Sequence, residues 1–511
     1  MSSIAWKEVN WPMVNSRVFR YQTRIFKASR ENNIPKVKCL QKRLLRSLDA
    51  KLVSVKRVTT LNKGPKTPSV YKQVFLTDLQ KGKLVQKLRL NGKALPIRRM
   101  YIDKPGRLEK QALGVPTIED KAKQALCMLA LEPEWEAHFE ANSYGGRPGR
   151  SCHDAVKAIF LSLQSPSKDK YSPSYVLNTN IDKCFDRIDH DYLLNKLATL
   201  PEIKKQVKAW LKVGILEEFL DERKKANVLE NITGKSQGGI LSNLLYNVAF
   251  HGLENHMKEW IATKPSFEKT DRNNKGAKRE SLALIRYVNE LVLIHKDESI
   301  IHEAKEEITK WLLNGPRLKL SEEKTFISNT NTSFNFLGFT FITINRNNIP
   351  RIKIYPSRKS QTLLILKVRS IIQNNRSTST YNLINLLKPT IIGWANYYKY
   401  SECSHVFKKL THLISQMLRA WVFRRDTRNG RKIIKQRYFP NNRYYTFRGK
   451  KHSDNWVLNG KQVSKNGTPK NNWLPHITWV KNEKWIKVKG EKSPFDNDNL
   501  YWGIRTRNDD H

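Results

Sequence analysis

The sequence predicts an α/β body that gives way to a long helical stretch and then to a small mixed unit. Three observations predict it. Val176 to Ile181 is a strand candidate, and Leu282 to Tyr287 and Leu291 to Ile294 form a strand-turn-strand pattern around Val288, Asn289 and Glu290. From about Pro356 through Leu418 the pattern turns helical. The last sixty or so residues are rich in Trp and Lys, with only short strand-like pieces.

Taken in order, the chain opens on a basic amphipathic helix. Leu40, Leu44, Leu48 and Leu52 recur every four residues, while Lys42, Arg43, Arg46 and Lys51 turn elsewhere. Lys93 to Val156 alternates short apolar runs with punctuation at Pro105, Gly106, Gly114 and Pro116, and ends in the loop Tyr144-Gly-Gly-Arg-Pro-Gly-Arg150. Lys264 to Arg279 is polar and reads as an exposed loop. No tandem repeat is present.

Composition narrows the function before any motif does. Over 511 residues, 93 Lys and Arg oppose 46 Asp and Glu, a formal charge of +47. That excess attracts polyanions and repels copies of itself, so nucleic acid leads and an anionic membrane surface follows. Residues 351–511 alone carry 33 Lys and Arg against 9 Asp and Glu, about half of the excess. No run of about 18 apolar residues exists, so no bilayer span is expected. The N-terminus lacks the apolar core of a secretory signal and carries an early Glu8, unlike a transit peptide. The five cysteines form no CxxC pair, which points away from a zinc module and a disulfide framework. An abundance of Asn, Lys and Ile fits an AT-rich genome such as an organelle's.

A series of blocks then carries a resemblance. They are Arg99-Met-Tyr-Ile-Asp-Lys-Pro, Leu113-Gly-Val-Pro-Thr-Ile-Glu-Asp120, Glu140 to Asp154, Asn180-Ile-Asp-Lys-Cys-Phe-Asp186, Ser236-Gln-Gly-Gly239, Arg286-Tyr-Val-Asn-Glu290, Leu318 to Thr325, Phe336-Leu-Gly-Phe339, Gly393-Trp-Ala-Asn-Tyr-Tyr398, Arg437-Tyr-Phe439 and Ser493 to Trp502. In this order they resemble the group II intron-encoded reverse transcriptases, also called maturases. The resemblance implies a right-hand-like α/β fingers and palm, an α-helical thumb or X domain, and a small mixed basic C-terminal region. It divides the chain into residues 1–90 (N-terminal extension and start of the fingers), 91–345 (fingers and palm), 346–450 (thumb) and 451–511 (C-terminal nucleic-acid-binding region).

The chemistry departs from that family. Phosphoryl transfer by two metal ions needs carboxylates to bridge the ions and neutralise them. Active members supply three aspartates, and the corresponding positions here are Asn180, Asn289 and Glu290. Two Asn remove two charges, and Glu290 carries its charge on a longer arm. Asp182 shares a face with position 180 but lies ~6.6 Å along an extended strand, too far to substitute. Phe185 is expected to survive as packing. Lys235 and Ser236 replace the family's usual Thr-Pro beside the nucleotide site, a change in the same direction. No Cys follows Cys403, so no terminal HNH nuclease is expected, and His511 reads as a solvated terminus. We therefore expect no protein catalytic residue, no protein-bound metal and no cofactor, with Mg2+ serving the bound RNA.

What the sequence retains is a binding surface. Between Arg419 and Lys451 stand Arg419, Arg424, Arg425, Arg428, Arg431, Lys432, Lys435, Arg437, Arg443, Arg448, Lys450 and Lys451, against Asp426 alone. Tyr438, Phe439, Tyr444, Tyr445 and Phe447 interleave with them, a composition suited to phosphates and stacked bases. The resemblance adds Arg43, Arg46 and Lys56 to one RNA footprint, and makes Asn455 to Trp502, with Trp456, Trp473, Trp479 and Trp485, the counterpart of a DNA-binding region that here meets RNA, DNA or only its neighbour domain. The expected function is that of a maturase for group II intron RNA, first of all its host intron, with polymerase activity lost. The alternatives are a residual RNA-directed DNA polymerase and a general RNA chaperone. The expected location is an organelle, plastid ahead of mitochondrion, with the bacterial cytoplasm as a third setting. DNA contact and a homodimer are compatible with all of these.

Overall fold

The computed structural model describes residues 5–61, 77–103, 110–164, 174–182, 187–213, 215–216, 228–229, 239–265, 275–346, 349–463 and 468–506. They fall into two compact units. The first gathers Met1–Ser162, Ser174–Ser328 and Lys487–Arg505, and the second holds Leu163–Pro173, Asn329–Ile486 and Thr506–His511.

The first unit starts with helices α1 (Trp11–Arg30), α2 (Ile34–Arg46) and α3 (Leu48–Lys56). The side chains of Asn10 and Asn33 accept from Met13 N and Lys36 N at 3.1 Å each, and a proline follows each cap in the first turn. The leucine periodicity is real but interrupted. Ser47 adopts an extended conformation between α2 and α3, so Leu40, Leu44 and Leu52 are buried while Leu48 is 55% exposed. Helix α4 (Asp78–Lys87) leads to strands β1 (Ile97–Asp103) and β2 (Lys110–Val115), and then to α5 (Ile118–Glu136), which is buried over most of its surface, polar residues such as Asp120 and Glu136 included, and runs through the core.

After α6 (Cys152–Leu163) come β3 (Tyr175–Asn180), α7 (His190–Leu197), α8 (Pro201–Lys212), β4 (Ile215–Leu216), β5 (Val228–Leu229), α9 (Ser242–Phe250), α10 (Leu253–Thr263) and α11 (Lys275–Ser281). Then follow β6 (Ala283–Tyr287), β7 (Glu290–His295), α12 (Glu298–Asn314) and β8 (Phe326–Asn329). The strands form two four-stranded sheets, ordered β2-β1-β4-β5 and β6-β7-β3-β8. The expected strand-turn-strand is the β6–β7 hairpin, with Glu290 opening the second strand and not closing the turn. The polar stretch expected as a loop contains α11, because Lys275 to Ser281 is helical.

The second unit begins with strands β9 (Phe334–Phe336), β10 (Phe339–Arg346) and β11 (Ile349–Pro356). The helical run follows as α13 (Arg358–Asn374), α14 (Thr380–Tyr398), α15 (Ser404–Arg425) and α16 (Arg431–Tyr438). Two hairpins, β12 (Tyr445–Phe447) with β13 (Lys450–His452) and β14 (Asn459–Val463) with β15 (Pro469–Trp473), surround a small aromatic core of Tyr445, Val457 and Trp479. The last helix, α17 (Asn499–Thr506), follows Lys487 to Asp498 in the first unit. No described helix is long and apolar enough to cross a membrane.

Candidate functional site

The central sheet brings together the three positions that the sequence singled out. In the β3–β7 ladder Asn180 faces Glu290, and in the β6–β7 ladder Tyr287 faces Glu290, with Asn289 in the turn between. Val288 takes a positive φ of 54° to close that turn. The backbone seals the corner: Ile181 N donates to Asn289 O at 2.9 Å, Ser321 N to Asn180 O at 2.7 Å and Asp182 N to Lys319 O at 3.0 Å. The Asn180 Oδ1 atom is buried without a hydrogen-bond partner. Asp182 pairs with Arg187 at 3.4 Å near the surface. The corner therefore offers one carboxylate and two neutral amides, one formal negative charge where two divalent ions would demand several. Among the described residues no group of three or more His, Cys, Asp or Glu is placed to hold a metal ion. Phe185, Lys235 and Ser236 lie outside the described residues.

Beneath the hairpin lies a support that the motif comparison did not predict. The segment Asn142 to Tyr144, which leads into the glycine loop, adds to the edge of β6, with Tyr144 N donating to Arg286 O and Arg286 N to Asn142 O, both at 2.9 Å. A Cβ at Gly145 would come within 2.4 Å of Val288 N, so only glycine lets the loop approach this closely. Arg147 forms a two-pronged pair with Glu136, both contacts at 2.9 Å and both side chains 1% exposed. Its third nitrogen donates to Glu140 O at 2.7 Å and Ser143 O at 2.8 Å. Burial lowers the Arg150 guanidinium to about 10, while Arg150 donates to Ala141 O at 2.7 Å and Gly490 O at 2.8 Å. These arginines belong to the fold and add nothing to the exposed cationic surface.

The Ser493 to Trp502 motif is also structural. Asp154, with a side chain 0% exposed, receives Arg505 at 2.6 Å and Val488 N and Ser151 N at 2.8 Å each. Phe495 packs near Phe19 and Phe26, with ring centroids 6.3 and 6.4 Å away, and Trp502 Nε1 donates to Ser493 O at 3.1 Å. Lys487 to Arg505 thus belongs to the first unit. An aspartate inside a Ser-Cys-His-Asp run and an arginine near the terminus gave no local signal of this pairing.

The candidate RNA-binding residues divide into outward and engaged groups. In the first unit Arg43 and Arg46 are exposed on the last turns of α2, whereas the Lys56 ammonium sits 4.0 Å over the Trp11 ring. In the second unit Arg424, Arg428, Arg431, Lys432 and Arg443 are exposed. Arg419 and Lys435 lie 4.0 and 4.8 Å from the Trp456 ring centroid. Arg425 donates to Thr378 O and Ser377 O, Arg437 pairs with Asp426 at 3.5 Å, and Arg448 donates to Asn396 Oδ1 at 2.8 Å. Helix α16 concentrates the field: its first turn holds Arg431 and Lys432 but no acid, and no side chain caps its N-terminal amides. Cations at the positive end of a helix dipole are mutually unfavourable, and the same arrangement favours an incoming anion. Of the interleaved rings, Phe439 and Tyr445 are core residues and only Tyr444 is strongly exposed, at 73%. Trp479 is likewise buried in the small aromatic core.

Comparison with known proteins agrees with these features along the chain. Residues 6–88 match the model of the N-terminal domain of reverse transcriptase, 102–341 that of reverse transcriptase (RNA-dependent DNA polymerase), and 363–439 that of the group II intron maturase-specific domain. Protein YkfC of Escherichia coli is 30% identical over 351 residues, 62% of this chain and 89% of that protein. Maturase-like protein 1 of Euglena gracilis is 26% identical over 407 residues, 77% of each chain. The group II intron-encoded protein LtrA of Lactococcus lactis is 28% identical over 299 residues, 48% of this chain and 46% of LtrA, so less than half of that relative is spanned.

Proposed function

This chain belongs to the group II intron-encoded reverse transcriptase and maturase family, and from that premise we propose that it acts as an intron maturase whose polymerase chemistry has lapsed. The observation that carries the lapse is the β3–β7 register, which sets Asn180 against Glu290 with Asn289 in the adjoining turn. A strand corner built for two cations holds amides in two of three positions, while its backbone frame is complete.

The maturase role needs no protein-centred reaction. The RNA carries out the transesterifications, and the protein lowers the free energy of the splicing-competent fold by binding it better than its competitors. Exposed cations on α2, α15 and α16 supply the phosphate contacts. On this reading the protein requires no cofactor of its own, and Mg2+ serves the folded RNA. The finer layout we assign is right-hand-like: fingers and palm in the first unit and a thumb in α13 to α16. We assign the protein to an organelle, plastid ahead of mitochondrion, with the intron around its own reading frame as first client.

The decisive experiment pairs two assays on one preparation. Splicing of the host intron at limiting Mg2+ is expected to depend on the protein, and primer extension on the same RNA is expected to yield no cDNA. Processive cDNA synthesis abolished by Glu290→Ala would sink the lapse, and unrelated RNA bound as tightly as intron at matched salt would sink the maturase in favour of a general chaperone. Titration with duplex DNA and sedimentation of the free protein test DNA contact and dimerisation.

A further inference from the structure

Trp456 is held in the left-handed backbone region, at a φ of 64°, where a bulky side chain is rare. The two residues that follow it, Val457 and Leu458, are buried, so the chain cannot relax out of this conformation without lifting them from the core. A strained backbone of this kind persists where the surrounding structure over-determines it, and such positions gather at binding sites. Here the conformation sets one indole against two helices.

From α15 the exposed Arg419 guanidinium lies 4.0 Å from the indole centroid, and from α16 the half-buried Lys435 ammonium lies 4.8 Å from it. The buried Phe439 ring, its centroid 5.4 Å away, braces the indole from the end of α16. The two like charges repel, and each is drawn to the ring by its quadrupole. The acids nearest in the chain are engaged elsewhere: Asp426 pairs with Arg437 at 3.5 Å, and Asp454 accepts from Trp479 Nε1. Among the described residues no carboxylate forms an ion pair with Arg419 or Lys435. Two cations gathered on one ring without a counter-charge are open to an anion, and phosphate oxygens accept from both kinds of cation.

We propose that Trp456 is a positioning residue of the RNA interface: its indole holds Arg419 and Lys435 together as one site for the phosphodiester backbone, with the cations meeting phosphate oxygens and the ring meeting none. The site rests on the reading of the protein as an RNA binder and deepens it. It ties two residues within the segment that matches the maturase-specific model, 363–439, to a third outside it. The physical gain is preorganisation. Arg and Lys side chains free in water sample many rotamers and surrender that freedom on binding, whereas side chains docked on an indole have surrendered much of it already. The site reads charge and not base, so the gain applies to any RNA whose backbone reaches it.

The test uses the full chain and two probes, the host intron RNA and an unrelated RNA of equal length. Arg419→Gln and Lys435→Gln should each flatten the salt slope of RNA binding by roughly 0.7 to 0.9. Trp456→Ala leaves both charges in place, so affinity should fall roughly 3- to 30-fold with the slope unchanged, and Trp456→Phe should recover most of the loss. In the background of Arg419→Gln with Lys435→Gln, Trp456→Ala should change affinity by less than about 2-fold, because nothing is left to position. Trp456→Gly separates positioning from folding: it relieves the left-handed backbone and should melt above Trp456→Ala, yet bind RNA as weakly. Unchanged affinity in Trp456→Ala overturns the proposal. So does an undiminished effect of Trp456→Ala without the two cations, since the ring then meets RNA itself, and so does tighter binding by Trp456→Gly than by Trp456→Ala, since affinity then follows stability. If the pattern holds while intron RNA shows no advantage over unrelated RNA, the site stands and the maturase reading fails. If splicing is promoted while Trp456 and the two cations act additively, the site alone fails.

Discussion

The corner at the end of β3 and the cationic surface around α16 solve opposite problems. In the corner, the frame is held by backbone bonds from Ile181, Ser321 and Asp182, by the glycine approach at Gly145 and by the buried Arg147–Glu136 pair. None of these uses the side chains of Asn180, Asn289 or Glu290, so a substitution at these three positions leaves those supports in place. Around α16 the arrangement is reversed. Arg424, Arg428, Arg431 and Lys432 point outward and hold little of the fold, so their identity is free to serve a ligand. On the reading proposed above the fold sheds a reaction without losing its architecture, because metal ligands that repel one another contribute little to folding. A binding surface persists only through charges that the fold itself does not need.

The sharpest way to break this contrast is to cut the frame. Arg147→Ala leaves Glu136 buried and unpaired, and should cost about 3–5 kcal/mol of stability in the first unit, read by chemical denaturation with RNA binding lost as a consequence. A loss below about 1 kcal/mol would show that the loop does not carry the hairpin. Next, Gly145→Ala forces a methyl group toward Val288 N and should cost roughly 1–3 kcal/mol, with the loss registered as a lower melting temperature. Then the surface: Arg424, Arg428 and Arg431 changed together to Ala should leave the melting temperature unaltered and flatten the salt slope of intron binding by up to about three contacts. Unchanged binding removes these residues from the interface.

Two smaller effects sharpen the comparison from inside the first unit. Asn180→Asp with Asn289→Asp restores mutually repelling charges, which should lower stability by roughly 1 kcal/mol without divalent ions and recover it with Mg2+. A loss that Mg2+ fails to recover would mean that the corner no longer accepts a cation. The second is a pH dependence. Burial raises Glu134 from 4.5 to about 7 even as Gln41 donates to it at 2.6 Å. The folded state therefore binds more protons between those values, and this group's contribution makes stability fall as pH rises from 4.5 toward 7. Glu134→Gln should flatten that part of the unfolding profile.

Much of this was legible in advance because the signals were local. The β6–β7 hairpin followed from two apolar runs and a polar turn, and the helical stretch expected from about Pro356 through Leu418 is met by α13 to α15, with α16 beyond it. Where a capping or turn residue intervened, periodicity misled. The leucine series passes through Ser47, whose extended backbone ends one helix and begins another, and Leu48 turns outward as a result. The interleaved aromatics were harder still, since a ring beside an arginine looks the same in sequence whether it faces water, as Tyr444 does, or fills a core, as Tyr445 does.

By itself the sequence determined the sign and the location of the charge, the order of the family's motifs, and the identity of Asn180, Asn289 and Glu290 as two amides and one carboxylate. Each is a property of residue type and spacing. The tertiary structure decided which arginines are available and which are structural, separating Arg424 and Arg431 from Arg147, Arg150 and Arg286. It also decided that Lys487 to Arg505 straps onto the first unit through Asp154. The reason is physical: whether a charge faces water or a buried partner depends on groups hundreds of residues away, and no local pattern encodes that distance.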